Sequence, residues 1–188
     1  MRRAVMAVIA LVAAVAMAEN SEEDAIVARR KVVAIGDDAF YHLASIVEVK
    51  IPETVKSIGD FAFAACTELP SITLPDAVES IGKCAFEGCT NVTTLLYNAK
   101  NLTSDNSWYN ALESNNSYGF RPMPLQTLVI GDNVETLPQG VFYNQQGLTT
   151  LTIPPSVSRI ETAAFYRCSN LESIVIPEGV ESLDQYAF

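Results

Sequence analysis

Residues 55–69 read VKSIGDFAFAACTEL, and residues 78–92, beginning 23 positions later, read VESIGKCAFEGCTNV. A fixed period of this length constrains a fold more than any local propensity, because it is the signature of stacked, similar units. The pattern runs along the chain. Ala-Phe recurs at 39–40, 62–63, 85–86, 164–165 and 187–188, and Val141-Phe142 holds the remaining slot. Steps between the Phe residues are 23, 23, 56, 23 and 23. Segments of 15 residues match at 32–46, 55–69, 78–92, 134–148 and 157–171, joined by eight-residue connectors such as PSITLPDA and TTLTIPPS, and VESLDQYAF closes the chain at 180–188.

The 56-residue step divides into 23 plus 33. TTLLYNAK (93–100) falls on schedule as a connector, and residues 101–125 then fill one 15-residue slot with ten extra residues. The array therefore carries one insertion.

Each unit has a physical reading. Leu69, Ile72 and Leu74 alternate at their end as a half-buried strand does. Pro52, Pro75, Pro154 and Pro177 follow four such strands, where a residue without an N–H ends a ladder. The pairs Val55/Ile58, Val78/Ile81 and Val157/Ile160 face inward on an opposite wall, with Gly36, Gly59 and Gly82 expected to permit a bend. Asp37, Asp60 and Thr162 stand where an N-cap would open a short helical turn carrying Ala-Phe inward. One unit cannot bury its apolar face alone, but stacked neighbours can.

Cys66, Cys89 and Cys168 each lie three residues after the repeat Phe, a slot filled elsewhere by Leu43 and Gln145. A slot that accepts Leu points to packing, and buried thiols behave as small hydrophobes. Oxidation of Cys66–Cys89 or Cys84–Cys89 is the other reading open to an exported chain. The Cys spacings and a lone histidine, His42, give no metal-ligand pattern, so no metal or cofactor is expected.

The consensus LxxIxIPxxVxxIGxxAFxxCxxL resembles the BspA-type, or treponemal-type, leucine-rich repeats, 23-residue units of secreted and surface proteins, and the resemblance covers roughly residues 26–188. It implies a right-handed leucine-rich-repeat solenoid with a parallel β-sheet on one face and short helical or 3-10 turns on the other. It also implies adhesion or ligand recognition, with no catalytic residues to carry over. Val141 in the Ala slot and Gln145 in the Cys slot depart from the pattern, and the array stops mid-repeat at Phe188. That end leaves Ile176, Val180, Leu183 and Phe188 without a following unit, which points to a fragment or to an end covered by a partner.

Residues 1–18 are a different text: a basic MRR, 15 uninterrupted apolar residues, and Ala16-Met17-Ala18 before Glu19. This is a signal-peptide layout. At 1.5 Å per residue the apolar run reaches about 22 Å, short of the ~30 Å hydrocarbon core. The expectation is a secreted or cell-surface protein with a solenoid over 19–188 and no membrane insertion after cleavage. The formal net charge of −10 becomes about −12 once Arg2 and Arg3 are removed, leaving 10 basic against 22 acidic residues. Nucleic acid is thereby excluded as a partner for want of a Lys/Arg footprint.

Catalysis finds no support, since any Ser/His/Asp or Cys/His arrangement would route through His42 in a variable slot. A protein or glycan ligand, on an extracellular matrix or host-cell surface, fits better. Outward strand positions line up as Glu48 and Lys50, Ser71 and Thr73, Thr94 and Leu96, Thr127 and Val129, Thr150 and Thr152, and Ser173 and Val175. Six strands at ~4.8 Å would make a face roughly 25 Å long. Ser and Thr there are equally what strand propensity and solubility select, but Leu96, Val129 and Val175 add exposed apolar surface. The insertion offers Trp108, Tyr109 and Tyr118 among Asn and Ser, a composition shared with binding loops, or else its aromatics plug the core. Sequons stand at Asn91, Asn101 and Asn115. The alternative to a binding module is a structural spacer, or a fragment of a larger surface protein whose functional domain lies elsewhere.

Overall fold

The structure, a computed structural model, describes residues 32–100, 102 and 123–188. The leader at 1–18 and nearly all of the insertion lie outside the described residues, Trp108, Tyr109 and Tyr118 among them. The chain coils as a parallel β-solenoid of about six turns without helices among the described residues.

Among the described residues, eleven short strands follow the repeat. They are β1 (Ala34–Ile35), β2 (Ser57–Ile58), β3 (Ser71–Leu74), β4 (Ser80–Ile81), β5 (Thr94–Tyr97), β6 (Thr127–Ile130), β7 (Thr136–Leu137), β8 (Thr150–Thr152), β9 (Arg159–Ile160), β10 (Ser173–Val175) and β11 (Ser182–Leu183). On one wall β3, β5 and β6 pair in parallel, as do β8 and β10. On the second wall β1, β2 and β4 form one ladder and β7, β9 and β11 another. Register follows the repeat: Ile72 lies beside Leu95 and Leu95 beside Leu128, although the second step spans 33 residues. The insertion therefore leaves strand register intact. Val47–Lys50, expected as a first strand, forms none, so the long face has five strands instead of six.

The third side carries the Phe residues, and its conformation differs from the expected helical turns. Twice per unit, two residues before and two after the repeat Phe, the backbone is left-handed: φ is 52° at Phe61 and 59° at Ala65, 53° at Cys84 and 73° at Gly88, 58° at Ala163 and 63° at Arg167. Alternating right- and left-handed residues aim successive N–H groups the same way. Phe40, Phe63, Phe142 and Phe165 thereby donate to the carbonyls of Ala62, Ala85, Ala164 and Ala187 in the following unit, at 2.7–2.8 Å. A left-handed non-glycine residue costs about 1–2 kcal/mol, which the inter-unit ladder and the buried Phe must offset.

Asp37 and Asp60 likewise do not cap a helix. Asp37 Oδ1 accepts from the Asp60 N–H at 2.8 Å and Asp60 Oδ1 from the Lys83 N–H at 2.6 Å, tying each unit to the next. Gly59 and Gly82 serve close approach, whereas a Cβ on Gly36 would meet nothing within 4 Å. A Cβ on Gly59 would lie 2.5 Å from the Asp37 nitrogen and one on Gly82 would lie 2.4 Å from the Asp60 nitrogen, so a side chain at either would push adjacent units apart.

Inside, the Phe rings form a column. Phe40, Phe63 and Phe86 stack with centroids 4.9 and 5.3 Å apart, and Phe142, Phe165 and Phe188 continue at 5.2 and 5.5 Å. Tyr97 is fully buried from the front sheet and meets Phe142 edge-on at 5.2 Å, extending the aromatic packing at the interrupted repeat. Its hydroxyl has no hydrogen-bond partner among the described residues. Leu102, Met123 and Leu125, at the two ends of the segment that carries the insertion, are also buried. Ion pairs between units, Lys56–Glu79 and Arg159–Asp184, are exposed and add at most about 1 kcal/mol each.

None of the four cysteines forms a disulfide among the described residues, and all four are buried. Cys66, Cys89 and Cys168 donate from Sγ to the carbonyls of Phe40, Phe63 and Phe142 at 3.2–3.3 Å, so the slot both packs and ties a unit to its predecessor. Gln145 occupies this slot where the insertion interrupts the array. Its Oε1 accepts from the Met123 N–H at 3.2 Å, a longer side chain reaching the re-entering backbone. Leu43, in the first described unit, is exposed.

Removing one ring from the column tests this packing. Phe86→Ala is expected to cost about 3–5 kcal/mol in urea denaturation; a loss under 1 kcal/mol would contradict a buried, stacked ring. The thiols give a pH test. Burial pushes Cys66 and Cys168 up from 9.0 to about 11, and burial followed by the neighbouring Cys66 pushes Cys89 to about 12. A folded pKa above the unfolded one means that ionisation favours unfolding. The thiol contribution to stability is complete below pH 9 and is lost as pH rises through about 9 to 12. Urea midpoints should fall as pH rises through about 9 to 12, and fall less steeply in Cys89→Ala.

Candidate functional site

The front sheet presents a periodic outer surface because alternate residues of each strand face inward. Ile72, Leu95 and Leu151 are buried, leaving two outward columns set by strand pairing. One runs Ser71–Thr94–Thr127 and resumes as Thr150–Ser173; the other runs Thr73–Leu96–Val129 and resumes as Thr152–Val175. The structure thus brings Thr73, Thr94, Leu96, Thr127 and Val129 together on one hydrogen-bonded sheet, and Thr150, Thr152 and Val175 on the next. Five strands at ~4.8 Å span about 19 Å between the outermost two. Leu96, Val129 and Val175 are 36, 48 and 62% exposed, an apolar line between β-branched alcohols.

The two sheets of this wall do not join. No ladder links β6 to β8, although they are neighbours in the array. At one end no backbone hydrogen bond connects Thr149 or Thr150 to Gln126, whereas Thr127 donates to Thr93 and Glu172 to Thr149 at the equivalent junctions. At the other end Asn98 and Gly131 donate to Leu74 and Tyr97, but Pro154 occupies the matching position before β6's Ile130 and has no N–H to give. A cleft of about 490 Å³ lies over the seam, lined by Thr127, Val129, Asp132, Thr150, Thr152 and Pro154 among others.

Asp132 lies just past β6. Asp76 and Glu178 hold the matching position after β3 and β10, so acidic residues stand at three places on the C-terminal border of the face. Asp76 Oδ2 accepts from Asn133 Nδ2 at 3.1 Å, reaching across the unit whose corresponding residue is the small Ala99. No three His, Cys, Asp or Glu side chains converge as a metal-binding group among the described residues, and no helix there is long and apolar enough to cross a membrane. His42 is exposed on the turn side, and the sequon residue Asn91 is exposed as well.

Residue spacing foretold which side chains share a column. It missed Gln126, Asp132, Pro154 and Pro155 as cleft residues, because the cleft arises where pairing fails and not from a motif. A signal was nevertheless present: IGDN and IPPS, the two connectors after β6 and β8, both depart from the IPET and LPDA forms of the first repeats.

The BspA type leucine-rich repeat region, as a family description, matches in six copies over residues 33–114 and 94–188. No curated protein matches. Among solved structures, a leucine-rich repeat protein from Bacteroides ovatus is similar at 26% identity and a TM-score of 0.50, covering 82% of this chain and 43% of that one. One from Eubacterium ventriosum is similar at 21% identity and a TM-score of 0.55, covering 85% and 43%. A third, described as a leucine-rich cell surface protein from Faecalibacterium prausnitzii, shares 22% identity with a TM-score of 0.37 over 79% of this chain and 52% of that one. The chain spans less than half the length of the first two. The repeat that opens the sequence and the stacked strands and rings it builds are those of one family: the chain belongs to the BspA-type leucine-rich repeat proteins.

Proposed function

We propose that this protein is secreted or held at a cell surface and acts without catalysis, binding a protein or glycan ligand through its front sheet in adhesion. The observation that carries this reading is the exposed line Thr73–Leu96–Val129, fixed by ladder hydrogen bonds and rimmed by small polar side chains. A face held by backbone pairing loses little ordering entropy on association, so its modest apolar area counts toward affinity. The export reading rests on the leader-like residues 1–18. Aromatics of the insertion, Trp108, Tyr109 and Tyr118, supply a second contact region in the same scheme.

Replacing Thr94, Leu96 and Val129 together with Lys should lower attachment to immobilised extracellular-matrix protein or host cells by tenfold or more, equivalent to about 1.4 kcal/mol. The variant's urea midpoint should stay close to that of the parent, because these side chains point outward. Unchanged attachment overturns the reading in favour of a structural spacer. Deleting residues 105–118 tests the insertion in the same assay, with reduced attachment expected.

A further inference from the structure

We propose that the row Tyr143–Tyr166–Tyr186 with Arg167, on the Phe-bearing turn side of the units after the insertion, binds a carboxylate-bearing glycan of the uronate type. The row lies away from the front sheet, and its ligand is independent of what that sheet binds.

Stacking builds this row as it builds the Phe column. Tyr143 and Tyr166 each follow a repeat Phe and lie with ring centroids 6.0 Å apart, and Tyr186 adds a third ring 5.8 Å from Tyr166. The rings are tilted by 42° and 57° instead of closing face to face, and Tyr186 is 68% exposed. Arg167 lies across the first two, its guanidinium carbon 6.0 Å from the Tyr143 centroid and 5.6 Å from that of Tyr166. Such contacts hold a planar guanidinium against aromatic surface while its N–H fork stays available at the edge. No carboxylate pairs with Arg167 among the described residues. Asn144 holds the same slot one unit earlier, its N–H bonded to the Tyr166 carbonyl at 2.7 Å. Asn144 Oδ1 accepts from Gln146 Nε2 at 3.1 Å, which leaves Nδ2 as a donor without a partner among the described residues.

Charge selects the ligand. Segments 139–147, 162–170 and 185–188 hold no acidic side chain and one ionised side chain, Arg167, in a sequence with 22 Asp and Glu. The corresponding segments before the insertion carry Asp37, Asp38, Asp60, Glu68 and Glu87, so an anionic group is repelled there and accepted here. A guanidinium fork without a competing carboxylate takes one from a ligand through two parallel N–H···O bonds. The rings favour a sugar as the carrier of that group. A pyranose brings polarised C–H groups to a tyrosine face, whose quadrupole is negative, and hydroxyls to the amides of Asn144 and Gln146. The core of a protein interface is apolar and desolvated, whereas these segments expose no Val, Leu, Ile or Met and surround the rings with Asn, Gln and Ser.

Calorimetric titration of the full protein with three probes gives the test: an oligogalacturonate hexamer, its methyl-esterified copy and a hexaglutamate peptide. The acid hexamer should bind about tenfold more tightly than the ester, and Arg167→Gln should abolish that difference. Arg167→Lys keeps the charge but not the fork, and should weaken binding of the acid by about threefold. Tyr186→Asn, a residue suited to the left-handed backbone there, should weaken acid and ester alike. Arg167 and Tyr186 are exposed, so urea midpoints of these variants should match the parent and separate a lost contact from a lost fold. Equal affinity for acid and ester overturns the proposal. Hexaglutamate binding as tightly as the hexamer would assign the row to an acidic polypeptide and also overturn it, as would no binding of any probe at millimolar concentration.

Discussion

Lateral stacking of equivalent residues, one unit on the next, is the constraint from which the rest of this molecule follows. Each unit contributes two short strands and a Phe-bearing turn, and none of the three could bury its apolar side alone. Strands two to four residues long would be marginal as isolated pairs. Here they are held because Phe63 lies between Phe40 and Phe86, and because each turn donates backbone hydrogen bonds to its successor. A defect is felt by its immediate neighbours, which explains why Gly59 and Gly82 cannot carry even a methyl group without displacing the preceding backbone.

The insertion shows how much irregularity the stack absorbs. Thr94 still pairs with Thr127 across 33 residues, and Tyr97, Leu102, Met123 and Leu125 are buried around the interruption. Gln145 replaces a thiol where the preceding unit is irregular and finds the Met123 N–H instead of a Phe carbonyl. The same irregularity lies one strand away from the open seam. Among the strands of the front wall that the described residues form, the neighbours without a ladder, β6 and β8, follow the longest step in the repeat.

The period, the Phe column, the two outward columns of the front sheet and the packing role of the cysteines were legible in the sequence, because each depends on one residue type recurring at one spacing. The turn conformation was not. Its left-handed positions hold Asp38, Phe61, Cys84, Gly140, Ala163 and Tyr186 before the Phe, and His42, Ala65, Gly88, Asn144 and Arg167 after it. Only two of these are glycine, so no composition marks a backbone imposed by stacking. A helix was the natural expectation for Asp37-Asp38-Ala39-Phe40, but hydrogen bonds to the next unit compete successfully with those along the chain. Val47–Lys50 shows the converse: a strand-like alternation that finds no ladder. The cleft was hidden for a third reason, since a missing pairing leaves little residue signature: Pro177 holds the same slot as Pro154 beside a ladder that does form.

On the proposed reading, binding is a surface property of the stack, resting on side chains that face out of a hydrogen-bonded wall. Everything presumes that adjacent rings share one interior. A double-mutant cycle on Phe63→Leu and Phe86→Leu, with Phe40→Leu and Phe165→Leu as a distant pair, measures this directly. Stacked neighbours should couple by about 0.5–1.5 kcal/mol in urea denaturation, and the distant pair should be additive. Additivity at Phe63 and Phe86 would contradict the shared column and, with it, the face it supports.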